Sequence, residues 1–125
     1  MKTVLVVDDE FALLEALATL LLDEGYRVLT ASNGQQALER MAEERPHLVL
    51  TDWMMPLMDG LKLISTLRAD PGYASVPILL MSAVDAAKTR TQHPDVPFIQ
   101  KPFDVDDLVT RVRELVQAAP AEQVP

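Results

Sequence analysis

At 125 residues, with 49% hydrophobic and 24% charged side chains, the chain is sized for one compact domain and composed like an ordinary globular protein. The absence of cysteine excludes disulfides and thiolate metal sites, and a formal net charge of −8 sets the chain against DNA, RNA and anionic lipid as partners. No stretch approaches the ~20 apolar residues that span a bilayer, and the first apolar run is too short for a signal peptide, so a cytoplasmic location is expected.

Short apolar runs alternate with helical patterns along the whole chain. Lys2–Val7 is a near-continuous apolar run, the pattern of a strand covered on both faces. Phe11–Glu24 follows as a helix with Leu14, Leu17, Ala18 and Leu21 on one stripe, and Gly25 stops it. Tyr26–Ala31 reads as a second strand. Ser32 and Gln35 have the spacing of a capping box, opening a helix that buries Ala37, Leu38, Met41 and Ala42. Pro46 ends that segment and His47–Thr51 is a third strand. After a turn rich in Met and Pro, Gly60–Arg68 reads as a helix that buries Leu61, Ile64 and Leu67. Asp70-Pro71-Gly72 is a turn, and Val76–Met81 a fourth strand. Asp85–Asp95 is polar and contains Pro94, so a helix there is short. Val96–Gln100 is a fifth strand, with Pro97 suited only to an edge or to its first residues. The last helix spans Val105 to Gln117. Asp104 is its N-cap, and Val105, Leu108, Val109, Val112, Leu115 and Val116 share its inner face. Residues 1–117 thus form one domain, and 118–125 a tail or the start of a linker.

Five strand–helix units with short links predict an α/β fold, a doubly wound five-stranded parallel sheet with helices on both faces. Ligands of such sheets bind beyond the carboxyl ends of the strands. Those ends carry Asp8-Asp9, Asp52, Ser82 and Lys101-Pro102. Taken alone, an Asp at a strand end is more often a helix cap than a catalyst, and a lone Lys there is usually just solvated. Together, three carboxylates in one crevice repel one another and call for a cation. An all-oxygen donor set suits Mg²⁺ rather than zinc.

Asp8-Asp9, the run from Asp52 to Gly60 (D-W-M-M-P-L-M-D-G), Ser82-Ala83 and Lys101-Pro102-Phe103 resemble the response-regulator receiver domain of two-component phosphorelays. The match runs in order up to about Gln117 and implies a (βα)₅, flavodoxin-like fold. It makes Asp52 the phosphoacceptor and nucleophile, with Ser82 and Lys101 contacting the phosphoryl group. The same resemblance assigns Mg²⁺ to Asp8, Asp9, Asp52 and the backbone carbonyl of Met54. Small Ala83 leaves the approach open, and Phe98 takes the place of the family's switch aromatic, with an inward pose expected. A sensor histidine kinase or histidine phosphotransfer protein would be the donor, and an effector protein the downstream partner. No enzymatic activity is implied beyond the chain's own phosphoryl transfer and slow autodephosphorylation. Neither nucleic acid nor membrane is expected to bind this domain.

The interval from Ser82 to Lys101 is shorter than is typical of receivers, which predicts a shortened fourth helix. Two other readings stay open. One is a pseudo-receiver that binds proteins without phosphate turnover. The other is an aspartate-nucleophile phosphohydrolase, although Met54 stands where such enzymes place their acid–base Asp. His47 and His93 lie away from the strand ends and receive no phosphotransfer role. Met54, Met55 and Met58 are read as loop packing, and Trp53 as a partly packed neighbour of the nucleophile.

Overall fold

The computed structural model describes residues 1–83 and 93–118. They form β1 (Thr3–Val7), α1 (Phe11–Asp23), β2 (Arg27–Ala31), α2 (Gly34–Glu43), β3 (Leu48–Asp52), α3 (Gly60–Ala69), β4 (Ile78–Ser82), β5 (Phe98–Gln100) and α4 (Val105–Ala118). All described strand pairs are parallel, in the order β2-β1-β3-β4-β5. This is the doubly wound, flavodoxin-like α/β sheet expected from the alternation of patterns. The short helix expected in Asp85–Asp95 falls on residues 84–92, outside the described residues; only His93, Pro94 and Asp95 of that stretch are described. The tail beyond Ala118 also lies outside them.

The apolar runs explain the layers. Side chains of a strand point alternately to the two faces of a sheet, so strands covered on both faces must be apolar throughout. Every residue of β1, β3 and β4 is buried. Leu5, Val7, Val49, Ile78 and Leu80 pack with Ala37, Met41, Leu61, Ile64 and Leu67 of α2 and α3. Val4, Val6, Leu48, Leu50, Leu79 and Met81 pack on the other face with Leu14, Leu17, Leu21, Leu108, Val112 and Val116 of α1 and α4.

Several local expectations are corrected. The N-cap of α2 is Asn33, whose side chain accepts from the Gln36 amide. Gln36, not Gln35, reaches back to the Ser32 amide and hydroxyl. The capping pair is displaced by one residue because Asn caps as well as Ser. Ala42 is exposed, since the inner stripe of α2 runs through Ala37 and Met41. Val105 is exposed as well, lying at the very start of α4 ahead of the first turn that meets the sheet. The fifth strand begins at Phe98 rather than Val96. Pro97 has no amide proton to give a ladder, but its carbonyl accepts from the Leu80 amide at 3.0 Å.

The two ends of the sheet differ in chemistry. At the amino end, the Thr3 amide donates to His47 Nδ1 at 3.0 Å, and the Thr3 hydroxyl donates to Glu44, which is held in turn by Arg27. His47 is therefore a structural partner at the end opposite Asp52. At the carboxyl end, the connection from β1 runs to β2 on one side and that from the adjacent β3 runs to β4 on the other, so the direction reverses between β1 and β3. This switch point is where an open α/β sheet forms its crevice.

Candidate functional site

Among the described residues, three carboxylates and one ammonium meet at the switch point. Asp8 directly follows β1, is fully buried, and accepts from the Glu10 amide at 2.9 Å. Asp9 beside it is exposed. Asp52 is the last residue of β3 and is 8% exposed. One oxygen from each of Asp8, Asp9 and Asp52 can be chosen so that all lie within 4.8 Å of one another. Lys101 follows β5, where its amide donates to the Ser82 carbonyl at 2.7 Å and extends the β4–β5 register by one step. Its Nζ lies 3.2 Å from Asp8 Oδ2 and 3.2 Å from Asp52 Oδ1. Ser82, the last residue of β4, is buried on the same edge of the sheet, and Ala83 after it is exposed.

The charges strain against their surroundings. Burial pushes the Asp52 carboxyl above its ordinary range, and the nearby Asp8 charge pushes it further; Lys101 and the Trp53 amide oppose this without cancelling it. Burial also works against the Lys101 ammonium, but Asp52 and Asp8 outweigh it and hold its proton more tightly than usual. Among the described residues, one ammonium thus serves two buried carboxylates, with the third acid at the rim. A hard divalent cation with oxygen ligands and retained waters fits that donor set. Among the described residues, no histidine or cysteine stands in the cluster.

The turn from Trp53 to Asp59 is fixed at both ends. The Trp53 amide donates to Met81 and its carbonyl accepts from the Gly60 amide at 2.8 Å. A Cβ on Gly60 would collide with the Asp52 carbonyl oxygen, so only glycine lets α3 start this close to the nucleophile. Asp59 caps α3 by accepting from the Lys62 amide at 2.8 Å. Leu57 adopts φ 68, and the Met58 amide donates to the Pro56 carbonyl around it at 2.7 Å. Met55 is buried and Met58 packs against the α2–α3 core, as loop packing requires, whereas Met54 is exposed. Trp53 is more buried than expected and belongs to that core.

All the strand-end residues singled out in the sequence thus lie at one edge of the sheet. Phe98 is half-buried against the α2–α3 core. A mainly apolar cavity of about 360 Å³, lined by Leu13, Ala83, Lys101, Pro102 and Phe103, adjoins the site. Gly34 was missed: it contacts the turn through the Met58 carbonyl, which accepts from its amide at 3.1 Å. The available signal was a glycine opening a helix where alanine would serve better.

The family model for the response regulator receiver domain matches residues 4–113. The phosphate regulon transcriptional regulatory protein PhoB of Pseudomonas aeruginosa is 34% identical over 119 residues, covering 93% of this chain and 52% of that protein. The signal receiver domain of a signal transduction histidine kinase from Syntrophus aciditrophicus superposes with a TM-score of 0.89 at 26% identity, covering 100% of this chain and 97% of that one. The response regulator protein TrrA from Thermotoga maritima, solved in complex with Mg(2+)-BeF, gives a TM-score of 0.82 at 32% identity, covering 92% and 99%. The chain spans about half the length of the curated relatives it matches.

Proposed function

This chain belongs to the response regulator receiver domain family of two-component signalling modules, and from that premise we propose that Asp52 accepts a phosphoryl group and thereby switches the binding of a downstream partner. The observation that carries the reading is the convergence of Asp8, Asp9 and Asp52 within 4.8 Å, with Lys101 bridging two of them.

Asp52 is the nucleophile. One of its carboxylate oxygens attacks the phosphorus of a donor, the bond from phosphorus to the donor's leaving atom breaks, and an aspartyl phosphate forms. Asp8, Asp9, Asp52 and the Met54 carbonyl are the residues to hold Mg²⁺, which supplies charge neutralisation for the phosphoryl oxygens when bound. Lys101 carries a firmly held positive charge within 3.2 Å of Asp52, so a small swing of its flexible stem brings it to those oxygens. The Ser82 hydroxyl is a donor on the same edge. Exposed Ala83 has too little side chain to obstruct the approach.

A histidine kinase or histidine phosphotransfer protein is the donor that this chemistry suits, and an effector protein the receiver of the signal. Output on DNA would belong to another module, because a surface of net charge −8 repels it. A phosphohydrolase is disfavoured because Met54 offers no proton where acid–base help would be needed.

Incubation with acetyl phosphate and Mg²⁺ followed by intact-mass measurement tests the reading. A persistent single phosphoryl adduct supports it. Steady phosphate release without an adduct would instead indicate a hydrolase, and no reaction a binding module alone.

A further inference from the structure

We propose that Gly34, at the first turn of α2, is a positioning residue for cation binding, acting through the Met58 carbonyl on the turn that carries Met54. The inference rests on the Mg²⁺ reading above.

Gly34 is buried, and its amide is one of the helix-end donors that have no partner inside the helix. It spends that donor on the Met58 carbonyl, 3.1 Å away. A Cβ at this position would sit 2.8 Å from the Met58 carbonyl oxygen, 2.9 Å from Met58 Cβ and 2.7 Å from Met58 Cγ. Met58 Cγ can rotate away, but the backbone oxygen cannot. The φ of Gly34 is not positive, so glycine is required for space and not for conformation. Alanine is the better helix former, and closeness to the turn is what glycine provides instead.

The contact matters because of what the turn carries. Its neck is pinned by the pairing of Gly60 with Trp53, and its far side is met by Gly34. Between Met58 and Met54 stand Pro56, with its fixed φ, and Leu57 at φ 68. Such a segment has few soft torsions in which to absorb a displacement, so a push on the Met58 carbonyl is passed to the Met54 peptide. The Met54 carbonyl is the one proposed ligand that comes from the turn rather than from a strand end. Its aim therefore depends on Gly34.

The test compares Mg²⁺ affinity, read by Trp53 fluorescence or calorimetry, with melting in EDTA. Gly34→Ala is expected to weaken Mg²⁺ binding about tenfold, as loss of support behind a ligand does. Met58→Ala, which removes the side chain but keeps the backbone contact, should leave affinity largely unchanged. In the wild type, Mg²⁺ should slow hydrogen exchange at the Gly34 amide, because coupling is reciprocal; this readout stands even if Gly34→Ala does not fold. Wild-type affinity in a folded Gly34→Ala protein, or Gly34 exchange indifferent to Mg²⁺, would overturn the proposal while leaving the cation site intact. A wild type that binds no Mg²⁺ would overturn both.

Discussion

Replacing Asp52 by asparagine should raise the melting temperature of the metal-free protein. The carboxylate gains from Lys101 at 3.2 Å, an attraction of about 5 kcal/mol at an effective dielectric constant of ~20. Against it stand Asp8 and Asp9, each with an oxygen within 4.8 Å and each repelling by about 3.5 kcal/mol on the same scale. Water screens the exposed Asp9, whereas the lost hydration of nearly buried Asp52 adds to the penalty. The balance is a net cost of about 1–2 kcal/mol, or roughly 3–10 °C in Tm for a domain of this size. The upward shift of the Asp52 carboxyl has the same sign. Unfolded, the group titrates near ~3.9, and folded it keeps its proton to higher pH. The penalty is therefore present in full above the folded pKa and disappears as pH falls through it. Melts of both proteins in EDTA, stepped down from neutral pH, should show a gap that narrows on acidification. A lower midpoint for the Asn variant at neutral pH, or a gap indifferent to pH, would refute this reasoning.

Gly60→Ala should destabilise the fold by about 3 kcal/mol, because the added methyl meets backbone at Asp52 and Trp53; urea titration measures it. Lys101→Met should cost about 3–5 kcal/mol without metal, since it leaves buried Asp8 unpaired, and Mg²⁺ should restore part of the loss in a thermal shift assay. Phe98→Tyr should enlarge the NMR shift changes caused by beryllofluoride, because a phenol hydroxyl favours a pose nearer water than the half-buried one of Phe98; equal changes in both proteins would remove Phe98 from the switch.

The site was legible in the sequence because strand ends are. Val4–Val7 and Leu79–Met81 are unbroken apolar runs, Leu48–Leu50 is carried on by β-branched Thr51, and the polar residues that follow such strands in a parallel sheet must emerge at the same edge. That is how Asp8, Asp52 and Ser82 could be placed together from spacing alone. Helix faces were less legible. Val105 fits the apolar stripe of α4 by period but lies exposed at its start, and Ala42 is too small for its pattern to distinguish core from surface. The shift from Ser32 to Asn33 as cap involves two residues that cap about equally well, so local chemistry could not choose between them. Gly34 was only half legible: a glycine opening a helix is a signal that something comes close, but position 34 does not record that its neighbour is the Met58 turn, distant in sequence.

The central claim is that Asp52 carries the phosphoryl group. After incubation with acetyl phosphate and Mg²⁺, borohydride cleaves an aspartyl phosphate and leaves homoserine in its place, which peptide mass spectrometry can locate. The account predicts homoserine at position 52 in the wild type and none anywhere in Asp52→Asn. Homoserine at another aspartate, or none in the wild type, would contradict it.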